Sequence, residues 1–190
     1  PKAAISFFKK ILKQDAKNID ALYNYGLALN QLKKYQDAIT CFDKVLDIDP
    51  KYIAAVNNRG ISLAEMGNTD DALEYYNKAI EIDPKYAAAY YNRGVLYDKL
   101  LQHDEAIQSL DEAIKCDSGN VNTAFYRGIV LAKMKKHEEA LNCFENIYRK
   151  HPKHMDAFFH KGIELAELGR HERALEIFDK LLDIHVDNVS

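Results

Sequence analysis

The sequence predicts an all-α solenoid, and three observations carry that prediction. Glycines recur at Gly26, Gly60, Gly94, Gly128 and Gly162, each 34 residues after the last. Alanines keep the same step at Ala4, Ala38, Ala72, Ala106, Ala140 and Ala174. Between these markers the apolar residues fall at helical, not alternating, spacing. A fixed period in this range marks stacked units that bury their apolar faces only against one another.

Residues 1–18 fit only the second half of the unit, with Ala4, Phe8 and Ile11 standing where Ala72, Tyr76 and Ala79 stand later. Five full units follow without an insertion, at 19–52, 53–86, 87–120, 121–154 and 155–188, so 1–190 reads as a single solenoid. Each unit reads as two antiparallel helices. In 53–86, Val56, Ile61, Leu63 and Met66 form the first stripe, and Gly67-Asn68 breaks it. Thr69 is the expected N-cap, ahead of Asp70 and Asp71, whose charge suits the positive end of a helix. Ala72, Tyr76, Ala79 and Ile80 form the second stripe. Asp83-Pro84 ends it, because proline disfavours helical backbone in the residue before it. Pro50 and Pro152 do the same elsewhere, while Ser118-Gly119 stands at that place in the third full unit.

A glycine inside each first helix costs about 1 kcal/mol relative to alanine. Its recurrence implies a close helix contact, with the glycine and the facing alanine letting two backbones approach. Gly94→Leu or Ala106→Phe should overpack that contact.

Composition narrows the function. The 190 residues are 47% hydrophobic and 29% charged with a net charge of −3, which suits a folded chain and lacks the basic face of a nucleic-acid binder. No apolar run is long enough to span a bilayer. Cys41, Cys116 and Cys143 are odd in number and lack metal-ligand spacing, which points to a reducing, cytoplasmic setting. No nucleophile elbow, phosphate loop or zinc-protease motif is present, and acidic pairs such as Glu138-Glu139 open helices, where dipole compensation explains them. No catalytic residue, cofactor or metal is therefore expected. His103, His137 and His171 share one register and read as turn residues packing between helices; His151, His154 and His160 straddle one loop and read as a solvated loop, with a metal site there as the minor alternative. Arg59, Arg93, Arg127 and Lys161 precede the packing glycines, so their stems should lie along the helix contact and pair with acidic second-helix residues.

The spacing Leu22-x2-Tyr25-Gly26-x2-Leu29, then Ala38-x3-Phe42, then Pro50 resembles the tetratricopeptide repeat (TPR) signature, as do Tyr90-x2-Arg93-Gly94-x2-Tyr97 and Ala106-x3-Leu110. The signature tryptophan is absent, replaced by Leu22, Val56, Tyr90, Ala124 and Phe158. The resemblance spans the whole chain and implies a right-handed superhelix of antiparallel helix pairs, with one first-helix stripe facing a concave groove.

Carried onto this sequence, that stripe is a set of columns. Two residues before the glycine stand Asn24, Asn58, Asn92, Tyr126 and His160; three before stand Tyr23, Asn57, Tyr91, Phe125 and Phe159. One after come Leu27, Ile61, Val95, Ile129 and Ile163; five after come Gln31, Glu65, Lys99, Lys133 and Glu167. Asparagine offers both an acceptor and donors, so the first column could bond a partner's backbone. It is similar over three units to the TPR arm of O-linked N-acetylglucosamine transferase. In the last two units, aromatic and aliphatic residues suggest pockets for apolar side chains. Of the lysine and asparagine places by which TPR co-chaperones hold acidic chaperone tails, only the asparagine two before the glycine is matched, so chaperone tails are not an expected partner.

The resulting expectation is a non-catalytic protein- or peptide-binding scaffold that holds an extended segment in its groove, without nucleic acid or membrane. Two alternatives stand beside it. The ends look truncated, which suits the targeting arm of a larger enzyme or assembly. The stripe Leu175, Phe178, Leu181 and Leu182 should also be partly exposed, which suits end-to-end homo-association.

Overall fold

The periodicity sets the elements. In the computed structural model, which describes residues 2–187, eleven α-helices and no strand occur among the described residues. They are α1 (Lys2–Gln14), α2 (Ile19–Gln31), α3 (Tyr35–Ile48), α4 (Ile53–Glu65), α5 (Thr69–Ile82), α6 (Ala87–Lys99), α7 (His103–Cys116), α8 (Val121–Lys133), α9 (His137–Lys150), α10 (Met155–Glu167) and α11 (His171–Asp187). Ala4, although within α1, has a side chain outside those described. The chain forms two compact units, Pro1–Leu96 and Tyr97–Ser190. Within each, consecutive helices pack in pairs, such as α2 on α3 and α8 on α9.

The turn inside each repeat has one backbone solution. Lys33, Gly67, Leu101, Lys135 and Gly169 occupy the same register, and all five have positive φ, from 58° to 85°. The amide of Lys34 donates to the Leu29 carbonyl at 2.9 Å and that of Asn68 to Leu63 at 2.9 Å, closing the end of the first helix in the glycine-type C-cap pattern. Gly67 and Gly169 therefore mark a conformational need, which the other three repeats meet with lysine or leucine at some strain. Thr69 is not the cap of α5: Asn68 holds that position, makes no side-chain capping bond, and Thr69 is the first helical residue. Side-chain caps occur instead on first helices, where Asn18 accepts from the Ala21 amide, Asn120 from Thr123 and His154 from Ala157.

The recurring glycines do allow close approach, but the group they face differs from the expected alanine. A Cβ added at Gly26 would lie 2.6 Å from Phe42 Cε1; at Gly60, 2.8 Å from Tyr76; at Gly128, 2.7 Å from Phe144; at Gly162, 2.7 Å from Phe178. Each partner is the aromatic residue 16 positions later, on the second helix of the same repeat. Ala38, Ala72 and Ala140 are fully buried in the same clusters as Phe42, Tyr76 and Phe144. Each pair thus buries an aromatic edge against a backbone, and the surrounding aliphatics, such as Leu22, Leu29 and Val45 in the first, complete the core.

The basic column is tied down in the same register. Arg59 Nε lies 2.5 Å from Asp43 Oδ1, Arg127 Nε 2.5 Å from Asp111 Oδ1, and Lys161 Nζ 3.1 Å from Glu145 Oε1, while Arg93 donates to Asn77 Oδ1 at 2.7 Å. Each basic residue pairs 16 positions back, with the second helix of the preceding repeat. In α11, Leu175 and Leu182 are exposed, while Phe178 and Leu181 are half-buried.

Gly60→Ala and Gly128→Ala should each cost about 1–3 kcal/mol despite the better helix propensity, because the aromatic ring must shift; urea denaturation measures it. Gly119→Ala, whose new Cβ would meet only Asp117 Oδ1 at 3.5 Å, is the near-neutral control. Leu101→Gly should raise stability by about 1 kcal/mol in the same assay, since Leu101 is 78% exposed and sits in left-handed backbone.

Candidate functional site

The face of each first helix left free by its own second helix carries the candidate residues, and it differs between the two units. In the first unit it is a hydrogen-bonded polar strip. Asn58 donates through Nδ2 to its own helix at the Ala54 carbonyl, 2.8 Å away, and to the Tyr23 hydroxyl at 3.0 Å. Asn92 donates to Asn57 Oδ1 at 3.0 Å. Asn24, which is exposed, donates to the Asp20 carbonyl at 2.8 Å. Each link between repeats joins the column two before the glycine to the column three before it in the preceding repeat. Below the strip, buried Ser62 donates to Asn30 Oδ1 at 2.8 Å. Tyr23 also packs on Phe42 and Tyr52, with ring centroids 6.0 and 5.3 Å apart, and burial raises its phenol pKa above the usual value.

These bonds redefine what the asparagines offer. Asn58 has both amide hydrogens engaged within the fold, and Asn24 and Asn92 each commit one, which fixes the amides and turns their acceptor oxygens into the shared feature of the column. Asn57 differs from its neighbours: it is 3% exposed and belongs to the interior as the acceptor for Asn92. Tyr91, Ile61 and Val95 are half-buried on the same helices.

In the second unit the face is organised by a carboxylate that the column reading missed. Asp98 is 3% exposed, yet it receives the Tyr126 hydroxyl and Lys133 Nζ, each at 2.6 Å from Oδ2. His103 Nδ1 lies 3.1 Å from Oδ1, a charge contact whose alignment falls short of a hydrogen bond. Burial alone would raise the Asp98 pKa; the bonds from Lys133 and Tyr126 and the nearby charges outweigh it and lower the value. Tyr126 and Lys133 are thus drawn together as the two arms of one buried ion-pair network, while Lys99 is exposed nearby in sequence. A second buried carboxylate, Glu164, lies 2.8 Å from His137 Nδ1.

The aromatic end is largely self-filling. Phe125 packs against Phe144, His154 and His160 at 5.6, 5.1 and 5.4 Å, and the His160 ring stacks on Phe144 at 5.2 Å. Ile129 packs against the same cluster. Phe159 is the open member, 47% exposed, and with Met155, Phe178, Leu181 and Leu182 it lines a hollow of about 430 Å³. Two of the register histidines, His103 and His137, are half-buried against carboxylates, whereas His171 is exposed.

Reaction chemistry has little to build on. Among the described residues, no cluster of three or more His, Cys, Asp or Glu is placed to hold a metal. Burial pushes the Cys41 thiol up to about 11 and raises that of Cys143, opposite to the shift that activates a nucleophile. No helix among the described residues is long and apolar enough to cross a membrane.

Tetratricopeptide repeat models match residues 17–85, 51–118 and 127–188. The chain belongs to the tetratricopeptide repeat family. A search of curated proteins gave no match. Among solved structures, the fold is similar to YrrB, described as a TPR protein with an unusual peptide-binding site, at 25% identity over 96% of this chain and 94% of that one, with a TM-score of 0.70. It is also similar to MamA, at 24% identity over 86% and 96% of the two chains with a TM-score of 0.75. A MamA fragment from Desulfovibrio magneticus RS-1 aligns at 16% identity over 90% and 97%, with a TM-score of 0.77. As a TPR solenoid, this chain has the architecture of a protein-interaction scaffold.

Asp98→Ala should cost about 2–3 kcal/mol at neutral pH, because it leaves Tyr126 and Lys133 without their acceptor; half-exposed Lys133 limits the loss. The Asp98 contribution is complete above the ordinary carboxylate value of about 3.9 and is lost as pH falls through the lower folded value. Asp98→Asn should therefore flatten the acid limb of the stability–pH curve below about pH 4, read by urea denaturation at a series of pH values.

Proposed function

We propose that the chain is a non-catalytic scaffold that holds an extended partner segment against the first-helix face of its repeats. The observation that carries this is the polar strip Tyr23–Asn58 and Asn57–Asn92. It repeats from one helix pair to the next and holds the amides in place through donor bonds within the fold. A face of fixed acceptors suits the N–H groups of an extended backbone, which any sequence supplies. Membership of a family of protein-interaction scaffolds and likeness to a TPR protein with a peptide-binding site support the reading.

Two kinds of contact divide the work in this proposal. Asn24, Asn58 and Asn92 take backbone donors in the first unit, with Tyr91, Ile61 and Val95 beside them as apolar flanks. In the second unit Phe159 receives apolar side chains, and the Lys133 ammonium, held by Asp98, meets carbonyls or carboxylates. Phe125 and His160 support that face by filling the space beneath it.

Peptides selected against the intact protein from a random display library supply the test. Asn58→Ala with Asn92→Ala should weaken peptides mapped to the first unit by tenfold or more, read by calorimetry, in a protein whose helical circular dichroism is unchanged. Unaltered affinity in that folded variant would sink the proposal.

A further inference from the structure

A cavity of about 500 Å³ opens among α7, α8 and α9. On α8 it is lined by Val121, Ala124 and Arg127, at helical spacing on one face, whereas Tyr126, Ile129 and Lys133 occupy another. It is therefore separate from the proposed partner face.

The repeat register explains why the space exists. Ala124 stands where the other repeats carry Leu22, Val56, Tyr90 and Phe158. Leu22, Val56 and Phe158 are buried there, at 3%, 0% and 5% exposure. In the next repeat Phe158 stacks on Tyr148, with centroids 4.3 Å apart and planes at 14°. At the cavity the Tyr148 place is taken by Ile114 and the Phe158 place by Ala124, so two stacked rings give way to a branched chain and a methyl. The connecting loop carries smaller side chains as well: Ser118 replaces the proline of three other repeats, and Asn120 replaces Tyr52 and Tyr86. Folded chains fill such apolar space where they can, since each void forfeits contacts. Here the volume falls in the range of small-molecule sites.

The lining specifies a ligand class. Ile114, Val121, Ala124 and Ile147 supply apolar walls matching the face of one aromatic ring. Asp111 and Arg127 neutralise each other at 2.5 Å, and Arg127 also donates to Cys143 Sγ at 3.2 Å. The remaining formal charge in the lining is that of Lys150, beside the Asn146 amide. We propose that this cavity binds a small aromatic carboxylate, its ring where the neighbouring repeat places Phe158 and its carboxylate toward Lys150 and Asn146.

Phenylacetate, with phenethylamine as the cation bearing the same ring, is the probe pair for the full chain. Amide correlation spectra should show saturable phenylacetate shifts clustered at Gly119, Val121, Ala124 and Ile147, with phenethylamine at least tenfold weaker. Ala124→Phe should abolish the saturable shifts. Lys150→Gln, an exposed change that serves if the filled variant folds poorly, should bring the two probes to equal affinity. The proposal is overturned by no saturable shift up to about 10 mM, well above the roughly millimolar affinity a ligand of this size reaches. It is equally overturned by shifts that map elsewhere, by equal binding of the amine to the unaltered chain, by binding that persists in folded Ala124→Phe, or by Lys150→Gln leaving the preference intact.

Discussion

Four of the helix pairs depend on one contact: an aromatic edge from the second helix seated on a glycine of the first. Phe42 on Gly26, Tyr76 on Gly60, Phe144 on Gly128 and Phe178 on Gly162 repeat it with little variation. The glycine weakens its own helix, so the gain must come from tertiary packing, and a single repeat has too little of that to stand alone. Leu110 stands in the same register as these rings and is fully buried, so the position takes a large apolar group and not only a ring. Because these residues are committed to the pair, function is left to side chains that point away from it.

The all-α solenoid class was legible in the sequence, since the step of 34 residues and the helical spacing of the apolar residues can both be read from it. Where the reading slipped, the cause was local. Assigning the α5 cap to Thr69 ignored that Asn68 completes the left-handed turn closing α4. The alanine chosen as the glycine's partner lies beside the contact, and the aromatic four residues later fills it. Both errors came from treating one turn of helix as if its neighbours were interchangeable.

For the candidate residues, register was legible in the sequence and bonding was not. Columns predict which residues share a face, but not which of them bond one another. Asn57 and Asn92 look equivalent as letters; one is an interior acceptor and the other its donor. The buried carboxylates left a signal that register makes visible: Asp98 sits in a column with Asn30, Ala64, Ala132 and Ala166, and Glu164 in one with Ala28, Ser62, Leu96 and Val130. An acid among small or apolar equivalents has to be answered by a neighbouring repeat, because a buried charge is costly unless paired.

That answer crosses a repeat boundary, and it bears on how such a chain changes over time. Asp98 lies on α6, while Tyr126 and Lys133, which hold it, lie on α8. A tandem array is usually pictured as beads that duplicate, vanish or trade places freely. Here deleting or transplanting the bead that carries α8 would strand an acid in the bead before it. The fourth repeat is thus bound to the third as an inherited couple, and recombination within this array is constrained to move them together.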